Sequence, residues 1–156
     1  MADGLQETVI NEILRPLINF WASRDDRKAL SEAGKLRFWG DGMLNELKAI
    51  SDGRATEETF ELLKKKFFES EGSVGEAMKK LREARNKLGG GPIAKSIDSI
   101  IASDGYGKGF IRHLIGEVLA YRNDPDGKHA AQSACNTIEA FNAALDRLYR
   151  LVEEYA

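Results

Sequence analysis

The strongest pattern in the sequence is a run of apolar residues near the C-terminus that recur in steps of three and four. This spacing places the side chains on one stripe of an α-helix, so the segment predicts a long amphipathic helix running to about Glu154. The stripe consists of Ala134, Ile138, Phe141, Leu145, Leu148 and Val152. A helix of this length and pattern is typical of a helical bundle.

The rest of the chain shows the same helical periodicity. It contains only three prolines and few runs of β-branched residues, so few segments are suited to forming β-strands. We therefore predict an all-α fold: a helical bundle of about six or seven helices with a long C-terminal amphipathic helix. No composition shift marks a domain boundary, so residues 1–156 are expected to form a single helical domain. The last two long helices are expected to pair antiparallel.

The N-terminal half is predicted to contain several helices separated by breaks. The first runs from about Leu5 to Ser23, with Pro16 inside it, so a kink or break is expected near Leu14. Its apolar face consists of Val9, Ile13, Leu17 and Phe20. A second helix is expected over 26–38, with an interruption at 38–42 and a short helix over 43–50.

Further helix ends are indicated by capping residues and glycines. Thr56 is predicted to cap a helix that ends near Glu69, and Ser73 with Glu76 forms an S-x-x-E capping box that predicts a new helix ending at Gly89. Two shorter helices are expected over 93–102 and 110–121. Trp39, beside a glycine-containing turn, is expected to anchor the core.

Charge and cysteine content restrict the classes of function. The net charge is −2, which argues against a broadly basic surface that coats nucleic acid. The single cysteine, Cys135, favours a reducing compartment and is expected to be buried. The N-terminus does not resemble a secretory signal, and no apolar stretch approaches the roughly 18 residues needed to span a bilayer. We expect a cytoplasmic protein with no membrane association.

Two glycine-rich segments are candidate anion sites. Residues 89–96 match the phosphate-loop pattern G-x-x-x-x-G-K-[ST] except that Ala94 replaces the second glycine, and the preceding segment is predicted to be a helix rather than the required strand. Residues 104–109 carry Lys108 among three glycines before a helix, where an anion such as phosphate can bind. Both segments are interpreted primarily as connectors; an anion or nucleotide sensor is the weakest alternative. No spacing predicts a metal site or a cofactor.

Residues 121–129, YRNDPDGKH, bring an arginine, an asparagine, a lysine and a histidine to the junction of the last two helices. Arg122 offers a planar cationic fork for phosphate, and His129 can exchange a proton near neutral pH. Together they are suited to binding a phosphodiester and deprotonating a ribose 2′-hydroxyl. The alternative is a helix-terminating turn, because Asn, Asp, Pro and Gly are turn formers.

The same segment resembles the R-x(4–6)-H motif of HEPN domains. Arg122 is followed by a polar residue, Asn123, and by His129 and Ala130, as in the HEPN-like domains of abortive-infection proteins. The resemblance covers about 110–151. It implies a metal-independent endoribonuclease of a defence or toxin system that acts as a homodimer, with the two Arg–His pairs meeting across the interface.

Carried over to this chain, the resemblance makes Arg122, Asn123 and His129 the catalytic residues. Arg122 would stabilise the phosphate, His129 would act as acid or base, and Asn123 would orient them. The product would be a 2′,3′-cyclic phosphate. Lys128 and Lys108 are predicted to bind the RNA substrate. The alternative from a different class is a non-catalytic helical module that dimerises or docks onto a partner protein.

Overall fold

The computed structural model describes the backbone of residues 15–155 and the side chains of residues 27–154. Within this range the chain forms five helices and no strand, so the all-α prediction is confirmed. The prediction of six or seven helices is not matched, because predicted breaks are continuous helix. The helices are α1 (Arg15–Ser51), α2 (Glu57–Leu88), α3 (Pro92–Ser103), α4 (Phe110–Tyr121) and α5 (Pro125–Tyr155).

The predicted break at 38–42 is wrong, because α1 continues through it. Gly40 lies against Asn142 of α5, and a Cβ at this position would collide with the Asn142 side chain. The glycine therefore allows two helices to approach closely. Packing of α1 on α5 outweighs the weak helix propensity of glycine, which alone costs about 1 kcal/mol.

The predicted helix start at Ser73 is also wrong, because α2 runs through it. The Ser73 hydroxyl donates to the carbonyl of Ser70 at 3.0 Å instead of capping a new helix. Ser70 in turn donates to the carbonyl of Lys66 at 2.6 Å. Both serines thus bond back to the preceding turn, which is the arrangement that lets serine sit inside a helix.

The predicted end of a helix at Ser23 and start of another at residue 26 are wrong as well, because α1 continues through both. The other helix ends agree with the sequence. The helix predicted to begin after Thr56 begins at Glu57, and the backbone N–H of Thr56 donates to the Thr59 hydroxyl at 3.0 Å. This helix ends at Leu88, before Gly89, whose positive φ of 69° suits glycine. The helices predicted over 93–102 and 110–121 are α3 and α4, and the C-terminal helix is α5. The six residues of its predicted stripe are all buried.

The hydrophobic core extends across all five helices. α1 packs against α2 and α5, α2 also contacts α3 and α4, and α3 and α4 both pack on α5. Trp39 is buried as predicted: its ring meets that of Phe141 edge to face at 6.4 Å, and its indole N–H donates to Ser70 at 3.1 Å. Its neighbour Phe38 instead faces solvent, with 83% of its surface exposed.

Two predictions concern the N-terminus. The kink near Leu14 lies outside the described residues, as do Val9 and Ile13 of the predicted apolar face and the side chains of its other two members, Leu17 and Phe20. Pro16 lies within the described part of α1. Among the helices that the structure describes, none combines the length and apolar character required to cross a bilayer.

Candidate functional site

The junction between α4 and α5 is a turn of three residues, 122–124. Arg122 adopts a positive φ of 54° just after α4, and its N–H donates to the carbonyl of Val118 at 2.8 Å. The carbonyl of Asp124 accepts the N–H of Lys128 at 3.1 Å, which begins α5. Pro125 is the first residue of α5, a position suited to its fixed φ. The Asn-Asp-Pro segment thus reverses the chain, as expected for turn formers.

Gly127 explains part of this geometry. A Cβ on Gly127 would collide with the backbone carbonyl of Arg122 and approach its amide nitrogen closely. The first turn of α5 therefore packs directly on the backbone of the residue that ends α4. This contact holds the backbone of Arg122 in place against the start of the next helix.

The guanidinium of Arg122 is held by α2. Its Nη2 donates to Glu57 Oε2 at 2.5 Å, and its Cζ lies 4.7 Å from the centroid of the Phe60 ring. The Arg122 side chain remains 41% exposed, whereas Phe60 is buried. The ring and the carboxylate together restrict the direction of the guanidinium, while part of its fork stays accessible.

His129 lies one turn into α5 and is exposed. Within the described part of the chain, no hydrogen bond or ion pair engages its imidazole. Asn123 and Lys128 are exposed as well, and the Lys128 amine lies 3.6 Å from the Cβ position of Gly53. The loop between α1 and α2 therefore borders the junction of α4 and α5. The two loops form one end of the bundle with Arg122, Lys128 and His129.

Lys108 lies elsewhere. It precedes α4, whereas Arg122 follows it, and the 12 residues of α4 separate the two ends by about 18 Å. Lys108 is exposed, and the glycines on either side of it have positive φ. Lys128 follows Arg122 by six residues within the junction of α4 and α5, whereas Lys108 lies at the other end of α4.

The charges around the junction are mixed. Arg122, Lys128 and Arg54 are cationic, whereas Glu57 pairs with Arg122 and Asp52 pairs with Arg54 at 3.0 Å. This balance agrees with the net charge of −2 and gives no extended basic surface. A phosphate that bound here would compete with Glu57 for the guanidinium, because both are anionic acceptors of its N–H groups.

The segment at 104–109 is an ordered loop. Asp104 is buried, its Oδ1 accepts the backbone N–H of Ile111 at 2.9 Å, and burial raises the pKa of its carboxyl group. Arg82 lies against Gly107 and Arg112 against Gly109, where their guanidinium nitrogens come within 3.0 Å of the Cβ positions. The side chains of Arg82 and Arg112 thus pack on the glycines of this loop.

The remaining candidate features of the sequence are the partial phosphate-loop match, Cys135, His113 and a metal site. Residues 89–91 connect two helices, so the strand required before a phosphate loop does not precede them. Cys135 is buried as predicted, and burial raises the pKa of its thiol to about 11. His113 is exposed, and its Nε2 lies 3.0 Å from Glu117 Oε1. In the described ranges, no group of three or more potential ligand side chains is arranged for a metal ion.

A groove between α1 and α2 was missed in the sequence. It encloses about 750 Å³ and has a mostly apolar lining, with Lys66 and Glu69 at its polar edge. On α1 it is lined by Gly34, Phe38 and Gly42, which are four residues apart and therefore share one helix face. The spacing is visible in the sequence, but only the tertiary structure shows that this face is left uncovered by α2 and α5.

The chain was compared with known protein families, curated proteins and solved structures, and none matches it.

Proposed function

We propose that this protein is a metal-independent endoribonuclease of the HEPN type, and that its site is the junction of α4 and α5. In this proposal Arg122 binds the scissile phosphate and His129 removes the proton from the neighbouring ribose 2′-hydroxyl. Asn123 orients Arg122 and His129, and Lys128 contacts the RNA backbone. The HEPN resemblance further implies a role in defence or in a toxin system.

The observation that carries the proposal is the contrast between Arg122 and His129. Arg122 is oriented by Glu57 and Phe60 and still has part of its fork exposed. His129, seven residues later in the same junction, is exposed and is free of side-chain partners within the described range. Phosphodiester cleavage needs a cation that stabilises the phosphate and a group that transfers the proton, and Arg122 and His129 are residues of these two types.

The chemistry is an internal transesterification. His129 takes the proton of the 2′-hydroxyl, and the 2′-oxygen attacks phosphorus to form a P–O bond. The bond from phosphorus to the 5′-oxygen breaks, and the leaving oxygen takes a proton from water. His129 then returns its proton to solvent. The products are a 2′,3′-cyclic phosphate and a 5′-hydroxyl, and Arg122 stabilises the charge that develops on the phosphoryl oxygens.

The test is cleavage of single-stranded RNA in the presence of EDTA. Compared with the wild type, His129→Ala is expected to lower the rate by about 10²–10⁴-fold because a general base is lost. His113→Ala is the matched control, since His113 is also an exposed helix residue and is paired with Glu117 instead. Its rate is expected to equal that of the wild type.

Equal cleavage by the wild type and His129→Ala would refute the proposal, as would products that carry a 5′-phosphate. Arg122→Ala is expected to lower the rate by about 10²–10³-fold, the usual effect of removing one group that stabilises developing charge. Circular dichroism of each variant checks that the five helices are retained.

A non-catalytic docking module is the second candidate. The observation that favours it is the apolar groove between α1 and α2, with Phe38 83% exposed at its edge. Exposed apolar surfaces with polar rims commonly mark sites of protein–protein contact. This function does not need the junction of α4 and α5, and the RNA assay therefore separates the two candidates.

A further inference from the structure

Two arginines from different helices pack on the loop that joins α3 to α4. Arg82 of α2 lies flat on Gly107, with its Nη2, Cζ and Nε at 3.0, 3.3 and 3.5 Å from the Cβ position of that glycine. Arg112 of α4 lies on Gly109 in the same way, with the same atoms at 3.0, 3.5 and 3.4 Å. The missing side chains at 107 and 109 therefore make room for two guanidinium groups on one loop.

Neither guanidinium has a carboxylate partner. Among the residues whose side chains are described, no ion pair within 4.0 Å includes Arg82 or Arg112. Arg82 donates only to the carbonyl of Gly107, at 3.4 Å, and the Nε of Arg112 is buried with no acceptor. By contrast Arg85, three residues after Arg82, donates twice to Asp98. A buried donor without an acceptor costs free energy, so the folded chain alone does not account for this placement of Arg112.

The one carboxylate of the loop is already engaged elsewhere. Asp104 is buried, and its Oδ1 accepts the backbone N–H of Ile111 at 2.9 Å. Burial raises the pKa of Asp104, while the charges of Arg112 and Arg82 act in the opposite direction without forming an ion pair. With Lys108, which is exposed, three cationic side chains thus meet one buried carboxylate at this loop.

The acidic residues of α2 nearest to Arg82 lie on other faces of the helix. Glu83 directly follows Arg82, and Glu76 precedes it by six residues. At 100° per residue they are rotated from Arg82 by about 100° and 120°. Neither forms an ion pair with Arg82, so the outward donors of this guanidinium are not neutralised from its own helix.

Two exposed aromatic rings belong to the same loop region. Tyr106 has 80% of its surface exposed and Phe110 has 44%. The Cβ of Phe110 lies 2.9 Å from the Cβ position of Gly105, the residue before Tyr106, so both side chains leave the backbone beside one glycine. The loop therefore presents ring faces and cations together on an open surface.

This combination is suited to one class of ligand. Guanidinium groups recognise phosphate through their planar fork, and exposed rings stack on nucleic-acid bases. A free nucleotide is usually enclosed in a concave pocket, whereas a single strand binds to open surfaces that carry both cations and rings. The high exposure of Tyr106 favours the single strand.

We infer that this loop, with the two arginines packed on it, binds single-stranded RNA. The guanidinium groups of Arg82 and Arg112 hold phosphates, Lys108 adds a third cation, and the rings of Tyr106 and Phe110 stack on bases. The inference rests on the proposed function for its choice of RNA and adds a second contact surface to it. The 12 residues of α4 place this surface about 18 Å from the junction of α4 and α5, so binding here is separable from cleavage.

Fluorescence anisotropy with a labelled single-stranded RNA of about ten nucleotides tests the inference. All proteins carry His129→Ala so that the RNA stays intact. Adding Arg82→Ala is expected to weaken binding several-fold and to reduce the slope of log affinity against log salt by about 0.7, the effect of one lost phosphate contact. Lys87→Ala is the matched control, because it removes one positive charge from an exposed residue of α2 that is rotated by about 140° from Arg82. Equal affinities for the two variants would overturn the inference.

Tyr106→Gly tests the stacking contact. Glycine suits the positive φ of 58° at this position, so the loop is expected to keep its conformation. Loss of the ring is expected to weaken binding by about 5-fold or more with no change in the salt slope, because stacking releases no counterions. Phe68→Ala is the control: Phe68 is 60% exposed and lies 14 residues, or about 21 Å, before Arg82 on α2. An unchanged affinity of Tyr106→Gly would contradict the assignment, as would equally tight binding of a duplex, whose bases are not free to stack.

The outcomes distinguish this surface from the proposed catalytic site. RNA binding that depends on Arg82, in a protein whose wild type cleaves no RNA, would refute the ribonuclease proposal and retain the inference. Cleavage by the wild type, with RNA affinity and KM unaffected by Arg82→Ala, would refute the inference alone. A His129→Ala protein that binds no RNA at low salt would also overturn it.

Discussion

The guanidinium of Arg122 lies over the ring of Phe60, with 4.7 Å between Cζ and the ring centroid. Phe60 belongs to the first turn of α2, and Glu57, the first residue of that helix, accepts a hydrogen bond from the same guanidinium. The start of α2 thus supports the residue that ends α4. The contact joins segments 62 positions apart in the chain, which explains how a turn between two late helices is tied to an early one.

This arrangement makes Glu57 a competitor of RNA for Arg122. Glu57→Gln is expected to lower the dissociation constant for a short single-stranded RNA several-fold, because the guanidinium is released from a charged acceptor. Folding stability should change by less than about 1 kcal/mol, since the pair is exposed. Fluorescence anisotropy with labelled RNA measures the first effect and urea unfolding the second. Glu58→Gln, which removes the same charge but does not touch Arg122, is the control. Equal affinities for the two variants would contradict the prediction.

Gly40 and Gly72 are expected to respond to alanine in opposite directions. Gly40→Ala introduces a Cβ that collides with Asn142, so a destabilisation of about 1–3 kcal/mol is expected from overpacking. Gly72→Ala lies in α2 with open space around it and is expected to stabilise the fold by about 0.5–1 kcal/mol, because alanine favours the helix. Urea unfolding of both variants measures the difference. A stabilising Gly40→Ala would show that α1 and α5 do not approach as described.

Gly40 also illustrates which features of this fold sequence patterns can and cannot predict. Periodicity identified α3, α4 and α5 and the buried face of α5, because each signal is local to one helix. The glycines at 40 and 42 and the capping box of Ser73 and Glu76 predicted helix ends that the structure does not have. For Gly40 the deciding partner is far along the chain, since Gly40 lies against Asn142 of α5. Local propensity contains no information about such partners.

The pH dependence of stability is expected to differ for Asp104 and Asp98. Burial raises the pKa of Asp104 above its ordinary value of 3.8, so the folded state holds its proton more tightly than the unfolded state. Its favourable contribution is therefore complete below pH 3.8 and is lost as the pH rises through the folded-state pKa. Asp104→Asn keeps the acceptor for Ile111 and is expected to gain stability over the wild type between pH 3.5 and pH 7.

Asp98 is the control with the opposite sign. The hydrogen bonds from Arg85, at 2.8 and 3.0 Å, lower the pKa of its carboxyl group. Its contribution is present above pH 3.8 and is lost as the pH falls through the folded-state value. Asp98→Asn is therefore expected to lose stability relative to the wild type over the same rise in pH. Urea unfolding of the wild type and of each variant at pH 3.5 and pH 7 measures these differences in stability. Changes of the same sign in the two variants would contradict the opposite pKa shifts of Asp104 and Asp98.

Cys135 is expected to react slowly with alkylating reagents. Burial raises the pKa of its thiol from 9.0 to about 11, so at pH 8 the thiolate fraction falls roughly 100-fold, and burial also restricts access. Iodoacetamide labelling followed by mass spectrometry is expected to show little modification of the folded chain and rapid modification in 8 M urea. Rapid labelling without urea would mean that this part of α5 opens readily.

Only part of the candidate site could be predicted from the sequence. The chain order alone brought Arg122, Asn123, Lys128 and His129 to one junction, because they lie within eight residues. It did not show that Glu57 and Phe60 hold Arg122, since those contacts cross 65 and 62 positions. It also grouped Lys108 with the others, although the length of α4 separates them. The charge and type of each residue are known from the sequence, whereas the distance between two helix ends is known only from the fold.

The close approach of Gly40 to Asn142 has a consequence for tracing the history of this chain. A larger residue at 40 requires a smaller one at 142, so the two positions are expected to vary together among homologous chains. Gly127 and the residue at 122 obey a stricter condition, because the obstacle there is backbone and no substitution at 122 removes it. A glycine at 127 and a paired exchange at 40 and 142 therefore form a signature by which distant descendants of the same ancestor can be recognised when overall sequence similarity has faded.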